Sequence, residues 1–168
     1  MMTTAIVLRP TTEADLAFVL AAEMHPDNAR FIGSWSRSRH IAACQHPDER
    51  HWIVTAAADG AAVGYVIVSG IEDPDQNLLI KRLVITEKSQ GYGRATLKML
   101  LHQGFHEFNA HRVWLDVMVN NPRAAGLYAS VGFIQEGCLR EAKKTPEGFV
   151  SLWIMSILRQ EFLAKPNP

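Results

Sequence analysis

The sequence has few cysteines and no excess of charge of either sign. Both features exclude certain classes of protein. Cys44 and Cys138 are the only cysteines and stand far apart, so the chain has neither a disulfide framework nor a zinc-ribbon spacing. Lys and Arg together number 17, as do Asp and Glu, so the formal net charge is zero. Because nucleic-acid-binding proteins usually carry a basic excess, we expect no nucleic-acid partner.

Long apolar runs are also absent. No stretch approaches the roughly 18 to 20 apolar residues that a membrane span needs. The N-terminal segment MMTTAIVLRPTTEADL lacks the basic leader and apolar core of a signal peptide. We therefore expect a cytoplasmic protein with no membrane partner. The 168 residues suit one domain with a hydrophobic core, which we place at residues 1–162, followed by a disordered tail at residues 163–168.

Local patterns predict strands and helices in mixed order. AIVLR predicts a first strand, and EADLAFVLAAEM predicts a helix capped by Thr11 or Thr12. HWIVTAA and AAVGYVIVSGI predict a hairpin that turns at Asp59-Gly60. NLLIKRLVIT is apolar on both faces at its end, which is typical of a central strand. A helix, a strand, a second helix and two final strands follow, so we predict a single α/β (α+β) domain with a mixed sheet.

The loop QGYGRA separates the central strand from the next helix. Glycine lets a backbone approach a ligand closely, and the first N–H groups of a helix form an anion site. A P-loop ending in Gly-Lys-Ser/Thr does not occur, and Thr96 stands where the dinucleotide fingerprint needs its third glycine. Gln90, Gly93 and Ala95 instead fit a third phosphate-binding pattern, Gln/Arg-x-x-Gly-x-Gly/Ala. The alternative is a glycine turn that only leads into a helix.

A second segment, NNPRAAGLYASVGF, places Tyr128 38 residues after Gln90, with room for one helix and one strand between them. With the loop, this segment resembles the GNAT N-acetyltransferases, and its matching residues are Asn121, Ala124, Leu127, Tyr128, Gly132 and Phe133. GFIQEGCLRE and GFVSLWIMSILRQE look like the branch that contains RimJ/RimL-type enzymes. The resemblance implies a GNAT fold, with a mixed, mostly antiparallel sheet of six to seven strands flanked by about four helices.

The resemblance also implies acetyl-CoA as the acetyl donor, because the family uses this loop to hold its pyrophosphate. The cofactor-binding residues that it implies are Leu83, Val84 and Ile85 along the pantetheine arm, Gln90, Gly91, Tyr92, Gly93, Arg94 and Ala95 at the pyrophosphate, and Asn121 and Ala124 in the second segment. The backbone N–H of Ile85 would face the thioester carbonyl as an oxyanion hole. The three strand residues also suit a core strand, and Asn121 either bonds pantetheine or caps its helix.

Tyr128 is the general acid that the resemblance implies. A phenol is protonated at neutral pH and can donate its proton to a leaving thiolate. The alternative is an amphipathic residue at the edge of the core. Cys44 and Cys138 fall in neither motif, which argues against a covalent acetyl-cysteine. We therefore expect direct transfer in a ternary complex.

Asp116 is a candidate general base. It precedes Asn121 by 5 residues and Tyr128 by 12, the spacings of a glutamate in some protein-acetylating members of the family. Apolar neighbours on its strand would raise its pKa by desolvation. Glu72 or Asp73, at the end of an earlier strand, is an alternative base. A mechanism with no dedicated base is a third possibility.

The sequence gives the least information about the residues that bind the acceptor. In this family the segment after the first helix often lines the acceptor pocket, so Phe31 and Trp35 are candidates, together with Glu72. A small-molecule amine and a protein N-terminus both fit as acceptor, and a non-catalytic acyl-CoA sensor is the rival hypothesis. A homodimer is common in the family, although no residue here indicates one. His102 and His106 lack a third ligand, so we expect a solvated helix face and no metal.

Overall fold

The computed structural model of the chain describes residues 4–164. The strands are β1 (Ile6–Pro10), β2 (Glu49–Ala56), β3 (Ala62–Ser69), β4 (Asn77–Ile85), β5 (Arg112–Met118), β6 (Ile134–Thr145) and β7 (Gly148–Leu158). The α-helices are α1 (Leu16–Met24), α2 (Pro26–Ala29), α3 (Arg37–Gln45), α4 (Tyr92–His106), α5 (Pro122–Val131) and α6 (Arg159–Leu163), and a short 3₁₀ helix (Glu13–Asp15) leads into α1. Of the tail predicted at residues 163–168, Leu163 ends α6 and residues 165–168 lie outside the described part.

The seven strands form one sheet in the order β1-β2-β3-β4-β5-β7-β6. Every neighbouring pair is antiparallel except β4 and β5, which are parallel. The strand β4 therefore occupies the middle of the sheet, as its two-sided apolar pattern predicts. Two of the α-helices, α2 and α6, have only 4 and 5 residues, so the longer helices number four. The predicted mixed, mostly antiparallel fold is confirmed.

Helices cover both faces of the sheet and bury two apolar clusters. Leu97, Leu101 and Phe105 recur at helical spacing along α4 and are buried against one face. Val19 and Ala22 of α1 pack on the other face. Each fully buried aliphatic or aromatic side chain contributes about 1.5 to 3 kcal/mol to folding. No helix within the described residues is long and apolar enough to cross a membrane.

The parallel strands β4 and β5 pair over only a short length. Residues 77–79 of β4 pair with residues 112–114 of β5, and no further pairing of the two strands occurs within the described residues. The register between β3 and β4 shifts next to Lys81, which is an extra residue in β4. Such a bulge bends its strand and increases its twist. Beyond it, β4 and β5 diverge and leave a gap in the centre of the sheet.

Candidate active site

A cleft of about 800 Å³ occupies the gap between β4 and β5. Its walls come from the segment between α2 and α3, the start of α4 and the helix α5. It brings together most of the residues predicted from the sequence, namely Phe31, Trp35, Leu83, Val84, Ile85, Gly91, Tyr92, Gly93, Arg94, Asp116, Asn121, Ala124 and Tyr128. Two motifs that are distant in the sequence therefore face one space.

Four of the predicted residues lie outside the lining of this cleft. Gln90 is exposed, and its carbonyl oxygen accepts a hydrogen bond of 2.8 Å from Thr4, whereas Ala95 packs against the core. Glu72 and Asp73 line a separate pocket of about 240 Å³. They follow the end of β3, beside the beginning of β4, whereas the cleft lies at the other end of β4. The geometry therefore gives no support to Glu72 as an acceptor-binding residue, nor to Glu72 or Asp73 as the base.

The helix α4 begins at the cleft with an open N-terminus. Its N-cap, Gly91, has a φ of 81°, no side chain caps it and its first turn holds no acidic residue. The first backbone bond in the helix runs from Ala95 N to the Gly91 oxygen at 3.1 Å. The N–H groups of Tyr92, Gly93 and Arg94 therefore precede the hydrogen-bonded part of the helix. Together with the helix dipole, they form a site suited to an anion.

Cationic side chains surround this helix start. Lys88 and Arg123 line the same end of the cleft as Arg94. Lys88 Nζ donates to Asn28 Oδ1 at 2.7 Å, and Arg123 Nη2 donates to Ser89 Oγ at 3.2 Å. Burial and the nearby charge of Arg123 lower the pKa of Lys88. Sequence analysis missed both residues: Lys88 stands only two positions before Gln90, whereas the position of Arg123 beside the glycine loop depends on how α5 packs.

The helix α5 presents Tyr128 to the cleft. Asn121 is its N-cap, and Asn121 Oδ1 accepts a hydrogen bond from Ala124 N at 3.2 Å. The capping role proposed for Asn121 is therefore observed. Tyr128 is partly buried, and its ring centroid lies 6.0 Å from that of Phe133. Burial, with a smaller contribution from Asp116, raises the pKa of Tyr128 to about 12, so the phenol is protonated at neutral pH.

Asp116 lies on β5 and faces the same cleft. Partial desolvation raises the pKa of its carboxyl group, and the charge of Lys143 opposes that increase. Lys143 was missed from the sequence. It comes from β6, where the register with β7 shifts between Leu139 and Lys143, and where Glu141 has a φ of 49°. No local pattern in KKT indicates this irregularity.

The edge of β4 supplies backbone donors to the gap. Thr86 N donates to the Val63 oxygen of β3 at 2.9 Å. Because successive N–H groups of a strand point to opposite sides, those of Leu83 and Ile85 point away from β3 and towards β5. Since β5 has diverged at this point, these donors face the cleft. This arrangement suits the oxyanion role expected for Ile85.

Below the end of the cleft that Phe31 and Trp35 line lies a buried carboxylate that sequence analysis missed. Glu23 of α1 is 2% exposed. Tyr65 Oη donates to its Oε1 at 2.8 Å, Trp35 N donates to its Oε2 at 3.0 Å, and Arg82 forms a close ion pair with it. Burial alone would raise the pKa of Glu23, but hydrogen bonds from His40, Trp35 and Tyr65 and the charge of Arg82 lower it to about 2.

Two histidines continue this polar network into the core. His40 Nε2 lies 3.2 Å from Glu23 Oε1, and His40 Nδ1 lies 3.0 Å from His51 Nε2. Thr11 Oγ1 is the last group of this network and lies 2.8 Å from His51 Nδ1. Burial and the neighbouring His40 lower the pKa of His51 to about 4, so His51 is neutral at pH 7. The network fixes the side chains beneath the cleft.

Trp35 forms a wall of the cleft and is surrounded by cations. Arg39 Cζ and Arg82 Cζ lie 4.1 and 4.6 Å from its ring, and Lys81 Nζ lies 5.5 Å from it. Such cation–π contacts each contribute about 0.5 to 2 kcal/mol. Phe31 lines the same cleft.

His102 and His106 lie on the exposed face of α4, with ring centroids 4.6 Å apart. Across residues 4–164, no group of three or more His, Cys, Asp or Glu side chains is arranged to hold a metal ion.

The diverging strands β4 and β5 and the open N-terminus of α4 define a single-domain α/β protein with a large cleft in the centre of its sheet. The sequence profile of the acetyltransferase (GNAT) family matches residues 20–133, which is more than half of the chain, and the chain belongs to that family. A spermidine N(1)-acetyltransferase of Vibrio cholerae is 32% identical over 84 residues, which are 49% of this chain and 49% of that protein. An uncharacterised N-acetyltransferase of Mycobacterium tuberculosis is 35% identical over 89 residues, or 51% of this chain and 54% of that protein.

The chain thus spans about half the length of the curated relatives it matches. Solved structures match over nearly the whole chain. The spermidine N-acetyltransferase of Vibrio cholerae in complex with CoA and spermine has a TM-score of 0.84 and 23% identity, covering 94% of this chain and 98% of that one. A dodecameric structure of that spermidine N-acetyltransferase has a TM-score of 0.81 and 24% identity, covering 96% and 98%. At this identity the similarity establishes the fold.

Proposed function

We propose that the protein is an acetyl-CoA-dependent N-acetyltransferase that acetylates a small-molecule primary amine by direct transfer in a ternary complex. The observation that carries this proposal is a cleft that joins the open N-terminus of α4 to the phenol of Tyr128. Membership of the acetyltransferase family supports the same activity. The relatives named for spermidine support an amine as acceptor.

The residues at the start of α4 fit the cofactor. The N–H groups of Tyr92, Gly93 and Arg94 would hold the pyrophosphate, and Lys88 and Arg123 would offset its charge. The backbone edge from Leu83 to Ile85 would bond the amides of the pantetheine arm. Acetyl-CoA supplies an acetyl group activated as a thioester.

Three groups of the chain each carry out one part of the acetyl transfer. The N–H of Ile85 stabilises negative charge that develops on the carbonyl oxygen, and a donor of this kind accelerates acyl transfer about 100- to 1,000-fold. Asp116, acting through a water molecule, removes a proton from the attacking amine. As the N–C bond forms and the C–S bond breaks, Tyr128 gives its proton to the departing sulfur. The phenol is protonated at neutral pH, and its raised pKa extends that state to more alkaline pH.

Finer assignments within this proposal stay predictions. The RimJ/RimL-like branch, a protein N-terminus as acceptor, a cytoplasmic location and a homodimer are among them. The relatives named for spermidine favour a small amine over a protein N-terminus. A non-catalytic sensor is disfavoured, because Tyr128 and Asp116 line the same cleft and the charge of Asp116 acts on the phenol of Tyr128.

The decisive experiment measures thiol release from acetyl-CoA over a panel of primary amines, with mass spectrometry of the products. We expect turnover with at least one amine and one acetyl group added for each thiol released. The same reaction without amine measures hydrolysis and serves as the control. Tight binding of CoA with no turnover of any amine would support the sensor and overturn the proposal.

A further inference from the structure

We infer that the acceptor carries an anionic group, such as a carboxylate, which binds between Arg82 and Lys143 beside Gly33. This inference rests on the proposed function and names the chemical class of its acceptor. The relatives' names instead point to spermidine, which is a polycation. The two classes are opposite in charge, so the side chains around the acceptor end of the cleft distinguish them.

The first argument is the convergence of two cations on a residue without a side chain. A Cβ atom built on Gly33 would lie 3.6 Å from Lys143 Nζ and 3.9 Å from Arg82 Nη2. The two cationic groups are therefore separated by no more than the sum of these distances, and both line the cleft. Glu23 already offsets the charge of Arg82 from the other side, so an anion between the two groups would chiefly compensate Lys143 and would accept a hydrogen bond from Arg82 Nη2.

The second argument is the rigidity of Arg82. Its Nη1 forms the ion pair with the buried Glu23, while its Cζ lies 4.6 Å from the ring of Trp35. The guanidinium is thus held from below and from one side, and its Nη2 is directed to the space beside Gly33. With Nη1 engaged by Glu23, the fixed Nη2 is left to donate to one oxygen of a carboxylate.

The third argument is the charge balance of the cleft. Among the described residues that line it, seven are Lys or Arg and three are Asp or Glu. Three of the cations, Lys88, Arg94 and Arg123, lie at the glycine-loop end, which leaves Arg30, Lys81, Arg82 and Lys143 for the rest of the cleft. Of the three carboxylates, Asp27 lies 3.9 Å from Arg30, Asp116 is influenced by Lys143, and Glu87 belongs to the glycine-loop end. A polyamine needs carboxylates for its additional ammonium groups. This cleft offers few carboxylates, and cations lie beside them.

The position of Lys143 also limits the size of the acceptor. Lys143 is close enough to Asp116 for its charge to act on that carboxylate. An anion beside Lys143 therefore lies near the proposed base, which receives the amine proton. The geometry suits a small amine whose carboxylate is a few bonds from the nitrogen, as in an amino acid.

The test compares matched acceptors that differ only in charge. Glycine, β-alanine and γ-aminobutyrate are each assayed beside the corresponding amide, with spermidine as the polycation. We expect kcat/KM for the carboxylate to exceed that of its amide by about 10- to 100-fold for the best-fitting chain length, the selectivity of hydrogen bonds to a charged group. Spermidine should be a poor acceptor.

Two substitutions and one control test whether the selectivity arises between Arg82 and Lys143. Lys143→Met should reduce the carboxylate-to-amide ratio at least several-fold, mainly through KM of the acceptor. Lys144→Met alters the exposed neighbour on β6 and should leave the ratio unchanged. Gly33→Ala makes only ordinary van der Waals contacts and needs no left-handed backbone. It should nevertheless reduce the ratio, because its methyl group occupies the space between the cations.

The possible outcomes separate the two proposals. Turnover of amides or spermidine at rates equal to or above those of the carboxylates overturns the anionic acceptor and leaves the N-acetyltransferase intact. An unchanged ratio in both Lys143→Met and Gly33→Ala overturns the location of the anion site. Absence of turnover with every amine overturns the proposed function itself.

Discussion

The two helix N-termini that face the cleft are built in opposite ways. At the start of α4, Gly91 offers no side chain, and the first N–H groups face the cleft. At the start of α5, Asn121 Oδ1 accepts the N–H of Ala124 at 3.2 Å. The same backbone donors are therefore left for a ligand in one helix and used by the chain itself in the other. In the proposed function, the open helix binds the pyrophosphate, and the capped helix holds Tyr128 in position.

The helices α4 and α5 also contact each other directly. Arg94 Nη2 on α4 donates to Ser130 Oγ on α5 at 2.9 Å. Gly93 approaches α5 so closely that a Cβ there would lie 3.1 Å from the side chain of Leu127. The anion-binding end and the phenol are thereby kept in a fixed relation. Substitutions at the two helices should affect separate kinetic parameters.

The largest effect is expected from Tyr128→Phe, which removes the acid of α5. We expect kcat to fall about 100- to 10,000-fold, the contribution of a general acid. The dissociation constant of acetyl-CoA, measured by calorimetry, should change little because the start of α4 is intact. With a pKa raised to about 12, Tyr128 stays protonated, so wild-type kcat should persist at pH values near 10, where an ordinary tyrosine is half ionised. Unchanged turnover in the variant would exclude Tyr128 as the acid.

A smaller effect is expected when α4 receives a charge where it has none. Gly91→Asp places a carboxylate at the open N-terminus, and Gly91→Asn places an uncharged group of the same shape there. Both variants share the same left-handed backbone and the same contact with Thr4, so their difference isolates charge. We expect acetyl-CoA to bind the Asp variant about 10- to 100-fold more weakly than the Asn variant, from Coulomb repulsion. A pantetheine thioester, which lacks the pyrophosphate, should not distinguish them; if it does, the anion site is elsewhere.

The smallest effect is expected when α5 loses its cap. Asn121→Ala should cost about 1 kcal/mol of unfolding free energy and lower Tm by about 2 to 4 °C. Because α5 carries Tyr128, kcat should also fall several-fold. Ser36→Ala is the matched control, since Ser36 Oγ caps α3 by accepting from Arg39 N at 3.2 Å. An equal loss of kcat in both variants would show that general destabilisation, and not the position of Tyr128, is responsible.

The sequence predicted those parts of the molecule that depend on local patterns. The apolar period of α4, the turn at Asp59-Gly60 and the two-sided apolar pattern of β4 each act within one or two elements. The order of elements follows from them, and the fold is as predicted. The glycine loop and the segment around Tyr128 were likewise recognisable, because each keeps its chemistry within a few consecutive residues.

The remaining features depend on contacts between distant segments. Glu23 reads as one more charged residue of a helix, yet it is buried against Tyr65 and Arg82, which lie 42 and 59 residues further along the chain. A signal was present, since Glu23 shares the spacing of the buried Leu16 and Val19 on α1. The convergence of Arg82 and Lys143, by contrast, depends on two irregular strands, and no local pattern indicates it.

The short pairing of β4 and β5 has a mechanical consequence. It divides the sheet into a half with four strands and a half with three, joined along only three residues of each strand. A ligand in the gap whose amides form hydrogen bonds with both β4 and β5 would take the place of a strand and would connect the two halves of the sheet. We expect acetyl-CoA at 100 times its dissociation constant to add about 2.7 kcal/mol to the unfolding free energy. Acetyl-CoA would then stabilise the fold of the protein as well as supply the acetyl group.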